Sequence, residues 1–159
     1  MTGQVLTSQV SPALTVWIRL LRGHSAARRT LDASLQAEHG LTVTAYEALL
    51  LLARAENPLR RVDLAEGLAL TASGVTRLLD GLEDDGFVTK ATCPSDARAT
   101  YAVLTDDGRA KFDEAAGSHV SDVRQLFEER YTPEELETLA ALLRRLPGAA
   151  GADPEECTA

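Results

Sequence analysis

The residues best suited to chemistry lie in one short stretch, TASGVTRLLDGLED, beginning at Thr71. Val75, Leu78 and Leu79 recur at helical spacing, and Thr71, Ser73, Thr76 and Arg77 are the polar side chains set against them. Short hydroxyls reach base edges or phosphate oxygens, and an Arg guanidinium can fork onto O6 and N7 of guanine. The same pattern also suits an amphipathic helix whose polar side is merely solvated, and spacing alone leaves both readings open. Arg60 and Arg61 stand just upstream. They are either flanking contacts to backbone phosphates or solvated loop charges.

Other chemistries find less support. Cys93 and Cys157 are far apart and form no CxxC pair. Neither sits beside a group that would lower a thiol pKa, so no disulfide framework, zinc site or redox sensor is expected. His24, His39 and His119 show no metal-ligand spacing. No phosphate loop, nucleophile elbow or framed carboxylate pair occurs, so neither enzyme activity nor a metal or cofactor is expected.

The elements that must position these residues follow from periodicity and punctuation. Ser11-Pro12 predicts a helix start, with Ser11 as its cap. Leu14, Trp17, Ile18 and Leu21 then form one face of a helix running to His39 and ending at Gly40. Thr44 and Glu47 have capping-box spacing over AYEALLLLARA, which is apolar nearly all round and therefore central. VDLAEGLAL is a short amphipathic helix, followed by the Thr71 helix, which Gly86 stops. The period then changes. Residues 87–90 and 100–104 are rich in strand formers, and ATCPSDARA between them predicts a hairpin with a long tip. Thr105 caps a helix to about Tyr131, and Thr132-Pro133-Glu134-Glu135 starts the last one, filled by Leu136, Leu139, Leu143 and Leu146. The fold class expected is mainly α with a small β-hairpin wing. Two short helices followed at once by a hairpin make a winged helix-turn-helix, whose second helix enters the major groove.

LAEGLALTASGVTRLLDGLEDDGFV followed by PSDARATYAVLTDDGRA resembles the core of the MarR family of transcriptional regulators. The resemblance rests on VTRLLDGLE, the D-x-R of Asp96 and Arg98, and the LT-x-x-G of Leu104 to Gly108, and it covers roughly residues 11–146. It implies an obligate homodimer with two winged lobes, binding a pseudo-palindromic DNA operator. Arg98 would enter the minor groove, and Asp96 would help hold the wing tip. It also implies a small effector, often aromatic or anionic, for which Trp17, His24, Tyr46 and His119 are the candidate lining residues. Trp17 and Tyr46 have the alternative of being core or interface residues. The chain departs from the pattern in carrying Ala97 and Ala99 around Arg98, which leaves Lys90 and Arg98 as the hairpin's cations.

The 159 residues predict one domain, with 45% hydrophobic and 25% charged residues. Within it, residues 11–40 and 106–147 are dimerisation helices, 44–105 the winged module and 148–159 an acidic tail. Leu14, Trp17, Ile18, Leu21, Leu136, Leu139 and Leu143 are the expected dimer-forming side chains. The net charge is −8, but residues 106–159 carry −7 of it, with six basic and thirteen acidic groups. A DNA-facing surface in the first two thirds is therefore compatible with an acidic chain. The acidity equally allows a winged-helix module turned to protein–protein interaction with little DNA affinity. No apolar run is long enough for a membrane span and no secretory leader is evident, so a cytoplasmic location is expected.

Overall fold

The computed structural model describes residues 11–93 and 96–148, with side chains described outside 92–99. Six helices and three strands follow in the order α1 (Pro12–His39), α2 (Val43–Arg54), β1 (Leu59–Arg60), α3 (Arg61–Gly67), α4 (Ala72–Asp84), β2 (Val88–Cys93), β3 (Asp96–Leu104), α5 (Asp106–Glu128) and α6 (Pro133–Leu143). The chain divides into two compact units, residues 1–119 and 120–159.

The core of the first unit is built around α2, as its apolar sequence predicts. Ala48 and Leu49 are fully buried, and Leu35 of α1, Leu64 of α3, Val75 and Leu79 of α4, Val88 of β2 and Phe112 of α5 close around them. Each such leucine cut to Ala would cost about 2–5 kcal/mol.

The start of α2 corrects the expected capping box. Thr42, not Thr44, is the N-cap, accepting from the Ala45 N–H. Asp32 of α1 satisfies a second free donor, accepting from Val43 N–H at 2.7 Å. Thr44 and Glu47 instead receive the Arg28 guanidinium of α1, which donates to Thr44 Oγ1 at 2.6 Å and to both Glu47 oxygens at 3.2–3.3 Å. A long-range cation has taken residues whose spacing alone suits a local cap. Ser11 stands at the N-cap of α1 but makes no side-chain cap bond, so Pro12 alone marks that start. Gly40 ends α1 in the left-handed conformation, at φ 68°. His39 ties this end to α5, its Nε2 lying 2.6 Å from Ser118 Oγ.

The sheet has the order β1-β3-β2, all antiparallel. The strands extend further than the sequence predicts: the β2–β3 ladder runs out to Cys93 and Asp96, with an irregularity between Thr92 and Cys93, so the tip is not long. Strand β1, two residues with no readable pattern, pairs Leu59 with Ala102 and Arg60 with Tyr101. Thr105 caps α5, accepting from Gly108 N–H, and its own hydroxyl donates to the Gly86 carbonyl. The Thr132–Glu135 capping box of α6 forms as read, with both reciprocal bonds present. Helices α5 and α6 stop at Glu128 and Leu143, about a turn short of their expected ends. Residues 1–10, Pro94, Ser95 and nearly all of the expected tail, including Cys157, lie outside the described residues.

Candidate nucleic-acid interface

Helix α4 is held by its apolar face. Val75, Leu79 and Leu82 are buried, and Ser73 and Arg77 are exposed on the other side. Thr71 is the N-cap, its Oγ1 accepting from Gly74 N–H at 3.1 Å and lying 3.2 Å from Ser73 Oγ. The helix start therefore presents two hydroxyls and a positive dipole end together, a combination that suits phosphate oxygens. Arg77 makes no hydrogen bond or ion pair with any described residue, so its fork is available. The turn before α4 places Ala69 at φ 51°, an unusual conformation for a side chain with a Cβ.

Two of the three acidic residues of α4 share one cation of the wing. Lys90 of β2 pairs with Asp80 and, at 2.8 Å, with Glu83. Glu83 also accepts from the Lys90 backbone N–H, and these bonds hold its carboxyl below the ordinary value while Lys90 is raised above its own. One of the two hairpin cations is thus spent on fixing the wing to the reading helix.

The two upstream arginines part company. Arg60 is the N-cap of α3 and forks onto Asp63, with Nε to Oδ2 at 3.0 Å and Nη2 to Oδ1 at 2.7 Å. Its backbone N–H also donates to Asp63 Oδ2, and the Asp63 carboxyl is held low chiefly by the Arg60 side chain. Arg61, the next residue, turns the other way and donates from Nη1 to Thr76 Oγ1 of α4 at 3.2 Å. Asp96 and Arg98 lie on β3, and their side chains fall outside the described ones.

The four residues expected to line an effector site are only partly brought together. Tyr46 is buried, with its ring 4.4 Å from that of His119 and 5.4 Å from that of Phe112. Trp17 and His24 are exposed, two turns apart on α1. An open cavity of about 330 Å³ lies elsewhere, beside Leu52, Pro58, Leu104 and Arg109, and includes none of the four. No group of three or more His, Cys, Asp or Glu suited to a metal occurs among the described residues. No helix among them is long and apolar enough to cross a membrane.

Known proteins share this arrangement. The MarR family model matches residues 39–99, from the end of α1 into β3. YkoM of Bacillus subtilis (strain 168), an uncharacterized HTH-type transcriptional regulator, is 32% identical over 108 residues, covering 68% of this chain and 69% of its own. The HTH-type transcriptional repressor YetL of the same organism is 32% identical over 108 residues, 67% of this chain and 64% of its own. Sco3205 from Streptomyces coelicolor, a MarR family transcriptional regulator solved in complex with DNA, aligns with a TM-score of 0.75 at 33% identity over 82% of each chain. With a capped reading helix, a wing pinned to it by Lys90 and relatives of this kind, the chain belongs to the MarR family of DNA-binding transcriptional regulators.

Proposed function

We propose that the protein is a ligand-responsive repressor that binds a pseudo-palindromic operator as a homodimer and is released by a small aromatic or anionic effector. The observation that carries this reading is the exposed amino-terminal half of α4, where Thr71, Ser73 and Arg77 are exposed and Asp80 and Glu83 behind them are paired with Lys90. Repression is supported by the similarity to YetL, a named repressor. Dimerisation is supported by α1, whose Leu14, Trp17 and Leu21 are 49%, 59% and 52% exposed. Three large apolar side chains in one stripe call for a second apolar surface. Leu136, Leu139 and Leu143, half-buried on α6, are the second set of dimer-forming residues. For the effector, the Tyr46–His119 pair offers a flat ring beside a hydrogen-bonding one. Trp17 and His24 complete such a site if the α1 face is covered by a second copy. This protein works in the cytoplasm.

The test is fluorescence anisotropy with a duplex that the protein selects from a randomised pool, in rising salt. Specific binding that weakens linearly in log salt supports the reading. Equal affinity for selected and random duplex would overturn it in favour of a protein-interaction module. Aromatic acids added to the complex should release the DNA, and Tyr46→Ala should blunt that release.

A further inference from the structure

We propose that Arg61 is a phosphate contact of this protein and that Thr76 is its positioning residue rather than a reader of bases, an inference that rests on the DNA-binding reading above. Proton accounting at Thr76 leads there. Its single hydroxyl proton is donated to the Ala72 carbonyl at 3.0 Å, the helical bond back to the preceding turn. Its remaining capacity is to accept, and Arg61 Nη1 supplies that bond at 3.2 Å. A hydroxyl engaged on both sides has nothing left to donate to a base or a phosphate. It does have a guanidinium to aim.

Arg61 is exposed at the first turn of α3, and its guanidinium reaches across to the second turn of α4. It is therefore held at the position one residue before Arg77 on the same helix. Among the described residues no carboxylate pairs with Arg61, so its charge is not offset by an ion pair with any of them. The contrast with Arg60 is local and chemical. Arg60 spends its fork on Asp63, and a neutralised pair attracts no phosphate. The charge on α4 makes the difference matter. The helix carries Arg77 alone against Asp80, Glu83 and Asp84, and Lys90 cancels only part of that acidity. The cation imported from α3 thus adds to the one basic side chain that α4 itself carries.

The experiment is salt-dependent anisotropy on the full chain, using a duplex selected by the wild-type protein from a randomised pool and a scrambled duplex of the same length. Arg61→Ala should lower the slope of log affinity against log salt by about 0.9 per protomer and weaken both duplexes by the same factor. Arg61→Lys should keep the slope. Thr76→Val, which keeps the shape and removes the acceptor, should lose part of the same slope, and Thr76→Ser should restore it. In an Arg61→Ala background, Thr76→Val should add nothing, because its effect passes through the missing guanidinium. Arg60→Ala should leave the slope unchanged while slightly lowering the melting temperature through loss of the side-chain fork onto Asp63. An unchanged slope in Arg61→Ala, or a Thr76→Val loss that persists without Arg61 and is confined to one base pair, overturns the inference while leaving DNA binding intact. A wild-type chain that selects no duplex overturns the DNA-binding reading and this inference with it.

Discussion

Gly108 sits in the first turn of α5, and a Cβ placed there would stand 2.1 Å from the Phe87 carbonyl oxygen and 2.8 Å from Leu104 Cδ1. The first obstacle is backbone and cannot turn aside. Gly108→Ala should therefore destabilise by about 1–3 kcal/mol or more, read as a lower midpoint in urea. Gly67 is the control, since its Cβ would meet only the mobile end of Leu51 at 2.9 Å, and Gly67→Ala should cost much less. An equal loss at both positions would mean that backbone approach is not what selects glycine at 108. Arg77 is the other residue whose role can be isolated. Exposed and uncommitted, it is the side chain of α4 best placed to fork onto a guanine. Arg77→Ala should weaken selected DNA by roughly 1–3 kcal/mol and relax preference at one base pair per half-site. Equal weakening on random duplex would reassign it to a phosphate.

At the scale of elements, Lys90 ties β2 to α4 by reaching Asp80 and Glu83. The pKa of Glu83 is lowered from 4.5, first by the Lys90 side chain, so its contribution to stability is whole above that value and fades as pH falls through the lower, folded-state value. Melts taken from about pH 7 down to about pH 3 should show wild type losing stability more steeply with acid than Lys90→Met, by a small margin because the groups are exposed. Parallel curves would show that the tie adds nothing. Arg98 is the hairpin's other cation. Arg98→Ala should keep the fold, lose operator affinity and lower the salt slope by about 0.9 per wing. Asp96→Ala should cost less. Wild-type affinity in Arg98→Ala would show that the wing does not contact DNA.

For the whole molecule, the open question is what covers the apolar stripe of α1. Trp17→Glu and Leu21→Glu place charges where a second copy is proposed to pack, and they should give folded monomers in sedimentation experiments with little operator affinity. A chain truncated after Tyr131 lacks Leu136, Leu139 and Leu143 and should be insoluble or unfolded. A soluble, cooperatively folding truncated chain, or an unchanged sedimentation coefficient in both Glu variants, would remove these helices from the dimer interface.

What the sequence determined by itself is whatever acts within a turn or two. The Thr132–Glu135 box, the Gly40 end, the Thr105 cap and the buried face of α4 all depend on residues at most four positions apart along a helix, and all are found as read. Helix α4 and its exposed polar side chains were legible for the same reason, as was the change of period that marks the hairpin. Tertiary structure decided every matter of competition between local and distant partners. Thr44 and Glu47 have the spacing of a cap, but Arg28 lies within reach and a charged donor forms the stronger bond. Arg60 and Arg61 are adjacent and alike in type. Only the turn of α3 sends one to Asp63 and the other fifteen residues on to Thr76. Strand β1 is two residues long and exists because Ala102 and Tyr101 offer it a ladder. Lys90 reads only as one of two hairpin cations, and its partners Asp80 and Glu83 are set by the packing of α4 beside β2. Spacing records which face a side chain occupies; which partner it finds there depends on packing between elements far apart in the chain.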